Sequence, residues 1–303
     1  MTDDKTCCGF VAIIGAPNVG KSTLINALAG EKVSIVSSKI QTTRMPVRGI
    51  VMHGKTQIVF VDTPGIFSPE KRLERAMVAS AWQSGQDADV VVLVVDVSRK
   101  KIDGETRSII KRIAGGGHPQ STILVLNKVD KVSPQALLPL AQELNGLFPF
   151  AATFMISAQK NNGTADLAKE LARRMPEGPW MYPEDQVSDM PDRLLAAEIT
   201  REKLFENLRQ ELPYALTVET ESWKQEEDGS LEIKQVIYIA RESHKPIILG
   251  KGGSQIKETG IEARKDLETI FERRVRLELF VKVKENWTED SEHYELWGLD
   301  FGA

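Results

Sequence analysis

The stretch FVAIIGAPNVGKST, residues 10–23, decides how the rest of the chain is read. Five apolar residues run straight into G-x-x-x-x-G-K-[ST], set by Gly15, Gly20, Lys21 and Ser22, and a helix-forming segment follows. A strand that turns through glycines into a helix N-terminus aims successive backbone N–H groups at one point, where they can surround phosphate. Lys21 brings a point charge to the β and γ phosphates and the Ser22 hydroxyl suits Mg²⁺, while Ala16, Pro17, Asn18, Val19 and Thr23 complete the loop. The pattern alone specifies a nucleoside triphosphate.

Outward from that loop, short runs rich in Val and Ile at 10–14, 57–61, 89–95, 122–126 and 153–156 alternate with amphipathic segments at 73–81, 105–113 and 134–144. This repetition predicts an α/β domain, a mainly parallel sheet with helices on both faces. Residues 47–52 and 57–61 flank a turn at His53 and Gly54, and read as a hairpin adding one antiparallel edge strand. RRMPEGPWMYPED, 173–185, carries three prolines in a polar span and reads as a linker. Beyond it come a helix at 192–212, strands at 215–222 and 231–241, a helix ending near 271 and a strand at 275–283, the makings of a smaller α+β domain. The expected division is a first domain over 1–175, a linker over 176–191, a second domain over 192–285 and a tail over 286–303.

The base is chosen away from the phosphate loop. In NKVD, Asp130 can accept both hydrogen bonds from the N1–H and 2-amino edge of guanine, an arrangement that adenine cannot return. Asn127 can tie this loop to the phosphate loop, and the aliphatic stem of Lys128 can cover the base. Ser157 and Ala158 of SAQK end the next strand, where the Ala158 amide can meet guanine O6. In DTPG, Asp62 can hold Mg²⁺ through water and the Gly65 amide can sense the γ phosphate, with Thr63 and Pro64 shaping the turn. Thr42 and Thr43 of QTTR both qualify to complete the metal's coordination, and Thr43 is preferred, in a segment that must move if the site is a switch. Lys21, Thr43 and Gly65 are the candidate catalytic groups. Ile66 follows Gly65 and cannot orient water, so a slow intrinsic hydrolysis is expected. Asn18 either supports a bound K⁺ beside the phosphates or merely stabilises its turn.

A net charge of −4 over 303 residues neither advertises nor excludes a nucleic-acid partner, which needs only a local basic surface. The acidic start MTDDKTCCGF lacks the basic region and long apolar core of a secretory signal, and the longest apolar run, 90–95, is far too short for a membrane helix, so a cytoplasmic protein is expected. Cys7 and Cys8 have no partner pair at metal-ligand spacing and read as part of a covered strand edge.

A second glycine–lysine turn lies in IILGKGGSQIKETG, 247–260. Aligned as a phosphate loop it fails twice, with Lys245 in place of the first glycine and Gly252 in place of the metal-binding Ser or Thr. As G-x-x-G between helices, Gly250, Lys251, Gly252 and Gly253 instead allow a sugar-phosphate backbone close to the turn. Ile256, Gly260, Ala263, Leu267, Ile270 and Phe271 recur at helical spacing and are expected to form the buried face of the following helix. Lys257, Arg264, Lys265, Arg273, Arg274 and Arg276 either flank the backbone path or, interleaved with Glu258, Glu262 and Asp266, form a solvated face. The motif does not distinguish RNA from single-stranded DNA.

The order GAPNVGKS, TT, DTPG, NKVD and SAQK resembles a translation-factor-class GTPase, and with the C-terminal half nearly the whole chain resembles the bacterial Era GTPase family. That resemblance implies a Ras-like P-loop GTPase domain followed by a type II KH-like domain. It further implies hydrolysis of GTP to GDP, binding of the 3′ region of 16S rRNA and of a small ribosomal subunit precursor, and assistance to rRNA processing and 30S assembly by a monomer. An apolar residue at Ile66 is then expected rather than a sign of an inactive enzyme. A GTPase serving tRNA modification is the runner-up, disfavoured by the KH-like half. A membrane-associated process is the other, weakened by the lack of a long basic amphipathic helix, although peripheral contact with the inner membrane stays open.

Overall fold

The computed structural model describes residues 5–99, 101–116, 121–209 and 212–303. These divide into two compact units, one built from Met1–Ser34, Thr43–Asp189 and Tyr294–Ala303, the other from Ile35–Thr42 and Met190–His293. The first four residues of the acidic N-terminus lie outside the described residues.

The first unit holds a six-stranded sheet in the order β2-β3-β1-β4-β5-β6. Its strands are β1 (Cys7–Ile14), β2 (Val47–His53), β3 (Thr56–Asp62), β4 (Val90–Asp96), β5 (Thr122–Asn127) and β6 (Ala152–Ile156). All neighbours are parallel except the β2-β3 hairpin, as the pattern predicts. Between them run α1 (Lys21–Ala29), α2 (Arg72–Asp87), α3 (Gly104–Ala114), α4 (Pro134–Leu147) and α5 (Thr164–Arg174). Every residue of β4 is buried, which is why its sequence, VVVLVVD, is a continuous apolar run rather than an alternation. Ile14, Leu93, Ile110, Leu124 and Leu144 share its core. The carboxyl ends of β1, β3, β4 and β5 therefore carry the phosphate loop, Asp62, Asp96 and Asn127 along one edge of the sheet, where open α/β sheets bind ligands.

The register pairs Val11 with Val90, so Cys7 and Cys8 project beyond β4. Residues 176–178 cover that flank, with the Cys8 amide donating to Pro176 O (3.1 Å) and the Gly178 amide to Thr6 O (3.0 Å). The covered strand edge expected for the cysteines is thus present. The segment expected as a linker over 176–191 is fastened to the first unit as far as Asp189. The reason lies in Gln57, whose buried side chain accepts from the Met181 and Tyr182 amides (2.9 and 3.0 Å) and donates to Tyr182 O (2.8 Å). The Ile50 amide adds a bond to Val187 O (2.9 Å). The end of the expected tail also belongs to this unit: Tyr294, Trp297 and Leu299 are buried, and the Arg72 guanidinium stacks 4.5 Å from the centre of the Phe301 ring.

The second unit packs α6 (Asp192–Asn207), α7 (Lys245–Leu249) and α8 (Ser254–Phe271) on a three-stranded sheet, β7 (Leu216–Gln225), β8 (Leu231–Ile239) and β9 (Val275–Val283). β7-β8 is antiparallel and β8-β9 parallel, so α7, the glycine turn and α8 form the crossover between β8 and β9. Helix α6 ends at Asn207, short of the expected 212, and Leu208 turns to extended backbone; residues 210 and 211 lie outside the described residues. A short terminal helix, α9 (Ser291–Leu296), follows Trp287, which is wholly buried and donates its indole N–H to Ala215 O (3.2 Å). Among the described residues no helix is long and apolar enough to cross a membrane.

Candidate nucleotide site and nucleic-acid turn

The phosphate loop is held in a conformation that only its own sequence tolerates. Gly15 has φ 153° and a Cβ there would lie 2.5 Å from Val94 O, while a Cβ on Gly20 (φ 98°) would strike the Asn127 amide. Asn18 itself takes the left-handed region, φ 62°, which Asn adopts more readily than most residues. Lys21 opens α1 and is buried, its ammonium donating to Gly15 O and Ala16 O at 3.1 Å each. Burial lowers its pKa to about 8, against the opposing pull of Asp62 and Glu105.

Around it, oxygen ligands from three segments converge. Ser22 Oγ donates to Asp62 Oδ2 (2.6 Å) and lies 3.0 Å from Thr43 Oγ1, which is itself 3.3 Å from the same carboxylate oxygen. Ser34 Oγ donates there as well, at 2.6 Å. The other oxygen, Asp62 Oδ1, is buried with no hydrogen-bond partner, an acceptor left over for water or an ion. Hydroxyl and carboxylate oxygens form the hard donor set that suits Mg²⁺, so the residues fit that metal. Burial pushes the Asp62 carboxyl up, partly offset by hydrogen bonds from Ser22 and Ser34. Thr42, the other candidate, turns its hydroxyl to Lys39 O (2.7 Å) and belongs with the second unit.

The remaining motifs close the same site. Thr63 Oγ1 bonds Ile13 O (2.7 Å), and a Cβ on Gly65 would press within 3.0 Å of Pro17, placing the DTPG turn against the phosphate loop. Ile66 donates its amide to Gly15 O (3.0 Å) and buries its side chain in the core, which accounts for an apolar residue at that position. Asn127 ties the two loops together, donating to Val19 O (2.9 Å) and accepting from the Lys128 amide (2.8 Å). Lys128 Nζ donates to Asn18 O and to Asp96 Oδ2, each at 2.6 Å. A hydrogen bond from Ser157 holds the Asp130 carboxyl below the usual carboxylate range. One expectation changes: the Ala158 amide donates to Asn127 Oδ1 (3.0 Å), so meeting guanine O6 requires it to share that hydrogen.

The second glycine–lysine turn is built differently. Gly250, Gly252 and Gly253 all have positive φ (72°, 61° and 79°), and a Cβ on Gly250 would lie 2.6 Å from that of Gln255. Beyond Gly252 and Gly253 there is open space, and Lys251 and Lys257 are exposed. Ala263 and Leu267 are buried as the helical spacing predicts, but Ile256 and Gly260 are only half-buried. With Lys257, Arg264 and Leu279 they line a cleft between α8 and β9. Arg264, Lys265, Arg273, Arg274 and Arg276 are all exposed, and Arg276 is also paired with Glu278 (3.3 Å) and Glu232 (3.8 Å).

Residues 10–128 match the family described as "50S ribosome-binding GTPase", and residues 211–288 match the KH domain. GTPase Era of Brucella melitensis biotype 1 is 55% identical over 297 residues, covering 98% of this chain and 94% of the relative. The chain belongs to the Era GTPase family. GTPase Era of Afipia carboxidovorans is 54% identical over 98% of this chain and 95% of its own. Two solved structures align with a TM-score of 0.90 and 42% identity over 97% of this chain and 99% of theirs. One is a variant of Aquifex aeolicus Era bound to GDP·AlF4⁻, the other Era in complex with MgGDPNP and nucleotides 1506–1542 of 16S ribosomal RNA. As an Era family member the chain is a guanine-nucleotide-binding, GTP-hydrolysing protein with a KH unit.

Two residues of the Era site escaped the sequence reading. Ser34 lies in no motif, so no local signal marks it. Asp96 had one: like Asp62, it is a carboxylate at the carboxyl end of a buried strand. Burial alone raises the Asp96 pKa, but hydrogen bonds from Lys128 and Ser98 outweigh it and leave the carboxyl below its usual range.

Proposed function

We propose that this GTPase is a nucleotide-gated switch that holds the 3′ region of 16S rRNA and assists the processing of that RNA and the assembly of the small ribosomal subunit. The observation that carries the nucleotide half is the convergence of Ser22, Thr43 and Asp62 beside buried Lys21. Asp130 accepts from the guanine N1–H and 2-amino groups, the Lys128 stem lies against the base and the Ala158 amide is shared with O6. Lys21 leaves its loop carbonyls for the β and γ phosphates, whose negative charge restores the ammonium that burial disfavours. Ser22 and Thr43 would hold Mg²⁺ directly and Asp62 through water; the metal, when bound, neutralises charge growing between the β and γ phosphates. The Gly65 amide reports the γ phosphate. Buried Ile66 cannot orient the attacking water, so hydrolysis is slow without help. The Asn18 turn would seat K⁺, a reading that equal GTP turnover in K⁺ and Na⁺ at one ionic strength would sink.

The RNA half rests on the exposed GKGG turn and the apolar, basic-edged cleft beside it, which suits a single strand with its phosphates on the turn and its bases inward. The solved relative carrying a 16S rRNA fragment makes that RNA the first ligand to test. Filter binding of mature and precursor 16S 3′-end RNA, with the protein empty, GDP-bound and loaded with a GTP analogue, tests both halves. Affinity that depends on nucleotide state supports the switch; the same affinity in all three states overturns the gating.

A further inference from the structure

Where the chain leaves the first unit it reads KVSIV, an apolar run interrupted by a serine, and Ser34 is the last residue that belongs to that unit. Val33 and Ser34 are each 2% exposed, and a hydroxyl buried among apolar neighbours is costly unless it is bonded. Ser34 spends its hydroxyl on Asp62 Oδ2, at 2.6 Å.

The backbone that carries this hydroxyl is itself fixed. The Asn26 side chain, on α1, accepts from the Val33 and Ser34 amides (2.9 Å each) and donates to Ser34 O (2.8 Å). Val33 lies over Gly49 of β2, where a Cβ would come within 3.4 Å of it and 2.9 Å of Ile25. Asn26, Val33, Ser34, Gly49 and Asp62 all belong to the first unit.

Asp62 is 0% exposed, with three hydroxyls around Oδ2 and no partner on Oδ1. Two of those hydroxyls, Ser22 and Thr43, are the ones that would hold Mg²⁺. Ser34 is left over. A carboxylate turns easily about its last side-chain bond, so the direction of its second oxygen is set by what holds the first. Of the three donors Ser34 is the one fastened by its own backbone to the side chain of the helix that follows the phosphate loop, whereas Thr43 lies in the stretch that has to move in a switch.

We propose that Ser34 is a positioning residue for Mg²⁺: held by Asn26, it keeps one oxygen of Asp62 engaged and so presents the other to the water through which Asp62 holds the metal. The proposal rests on the reading of Asp62 given above. It applies to both nucleotide states, because neither Ser34 nor Asp62 needs a γ phosphate to make this contact.

The test measures the affinity of a fluorescent non-hydrolysable GTP analogue across a Mg²⁺ titration and again in EDTA, for the full chain unaltered and with Ser34→Ala, Ser34→Cys or Asp62→Asn. Removing a group that orients a metal-holding side chain costs about 10- to 100-fold in metal affinity. Ser34→Ala is accordingly expected to raise the Mg²⁺ concentration needed for half the gain in affinity by about tenfold, and to leave the affinity in EDTA unchanged. Ser34→Cys, whose thiol is a weak donor, shows the same shift and carries the test if Ser34→Ala does not fold. An unchanged Mg²⁺ requirement overturns the proposal, and so does an equal loss of affinity with and without Mg²⁺, which would mark Ser34 as a packing residue only. Asp62→Asn separates the two readings: if its Mg²⁺ requirement matches that of the unaltered chain, the role given to Asp62 fails, whereas a raised requirement there with none at Ser34 overturns the positioning role alone.

Discussion

The two glycine–lysine turns share letters and differ in their surroundings. At Gly15 an added Cβ would lie 2.5 Å from Val94 O, and Lys21 is 6% exposed with its ammonium returned to its own loop. At Gly252 and Gly253 the same atom would meet nothing within 4 Å, and Lys251 stands in solvent. A closed, self-bonded loop suits a ligand of fixed size that replaces internal bonds with stronger ones. An open turn suits a polymer that continues past it on both sides. Glycine serves close packing in the first case and access in the second.

Substitutions at the two turns should separate these roles, the largest effect coming first. Lys21→Ala removes the charged donor of the closed loop and should cost roughly a thousandfold in GTP affinity, ~4 kcal/mol, since hydrogen bonds to charged groups are the strong ones. Equilibrium titration with a fluorescent analogue checks it, and unchanged affinity would show that the loop is not the phosphate site. Gly15→Ala must push backbone aside at a φ of 153° and should lower the stability of the first unit by about 3 kcal/mol, read from urea melts. Changing Lys251 and Gly252 together to Asp should weaken RNA binding at least tenfold, about 1.4 kcal/mol or more, with a shallower salt dependence and GTP affinity nearly intact. RNA binding that keeps its strength and salt slope would move the RNA site elsewhere.

The smallest effect concerns the stability of the empty protein. Lys21 has a folded pKa of about 8, below the ordinary lysine value of 10.5, so the unfolded chain binds more protons between those values and stability rises with pH across that window. Lys21→Met removes the penalty and should stabilise the nucleotide-free protein near neutral pH by about 1 kcal/mol after its lost hydrogen bonds are discounted. That advantage should fade as pH rises through 8 toward 10.5; an advantage independent of pH would show that burial does not disfavour this ammonium.

Much of this was legible in the chain because the signals are local. The buried run of β4, the phosphate loop between β1 and α1 and the G-x-x-G between α7 and α8 each fit within about a dozen residues. What escaped was long-range. Nothing near Ile35 announces that it packs beside Leu267, and nothing in the proline-rich span after α5 announces Gln57 as its anchor. The apolar Ile66 was read for the chemistry it lacks, while its place in the core follows from a hydrophobic cluster to which β1, α2, β4, α3, β5 and α4 all contribute. The Ala158 amide was taken as available because the sequence cannot show that Asn127 already uses it.

The return of Tyr294–Ala303 to the first unit bears on how the protein is made. Synthesis delivers the phosphate loop early and the buried Trp297 and Leu299 almost three hundred residues later, although both ends of that interval complete one compact body. A chain shortened before Trp297 would therefore keep every guanine-binding motif while losing buried side chains of the unit that carries them.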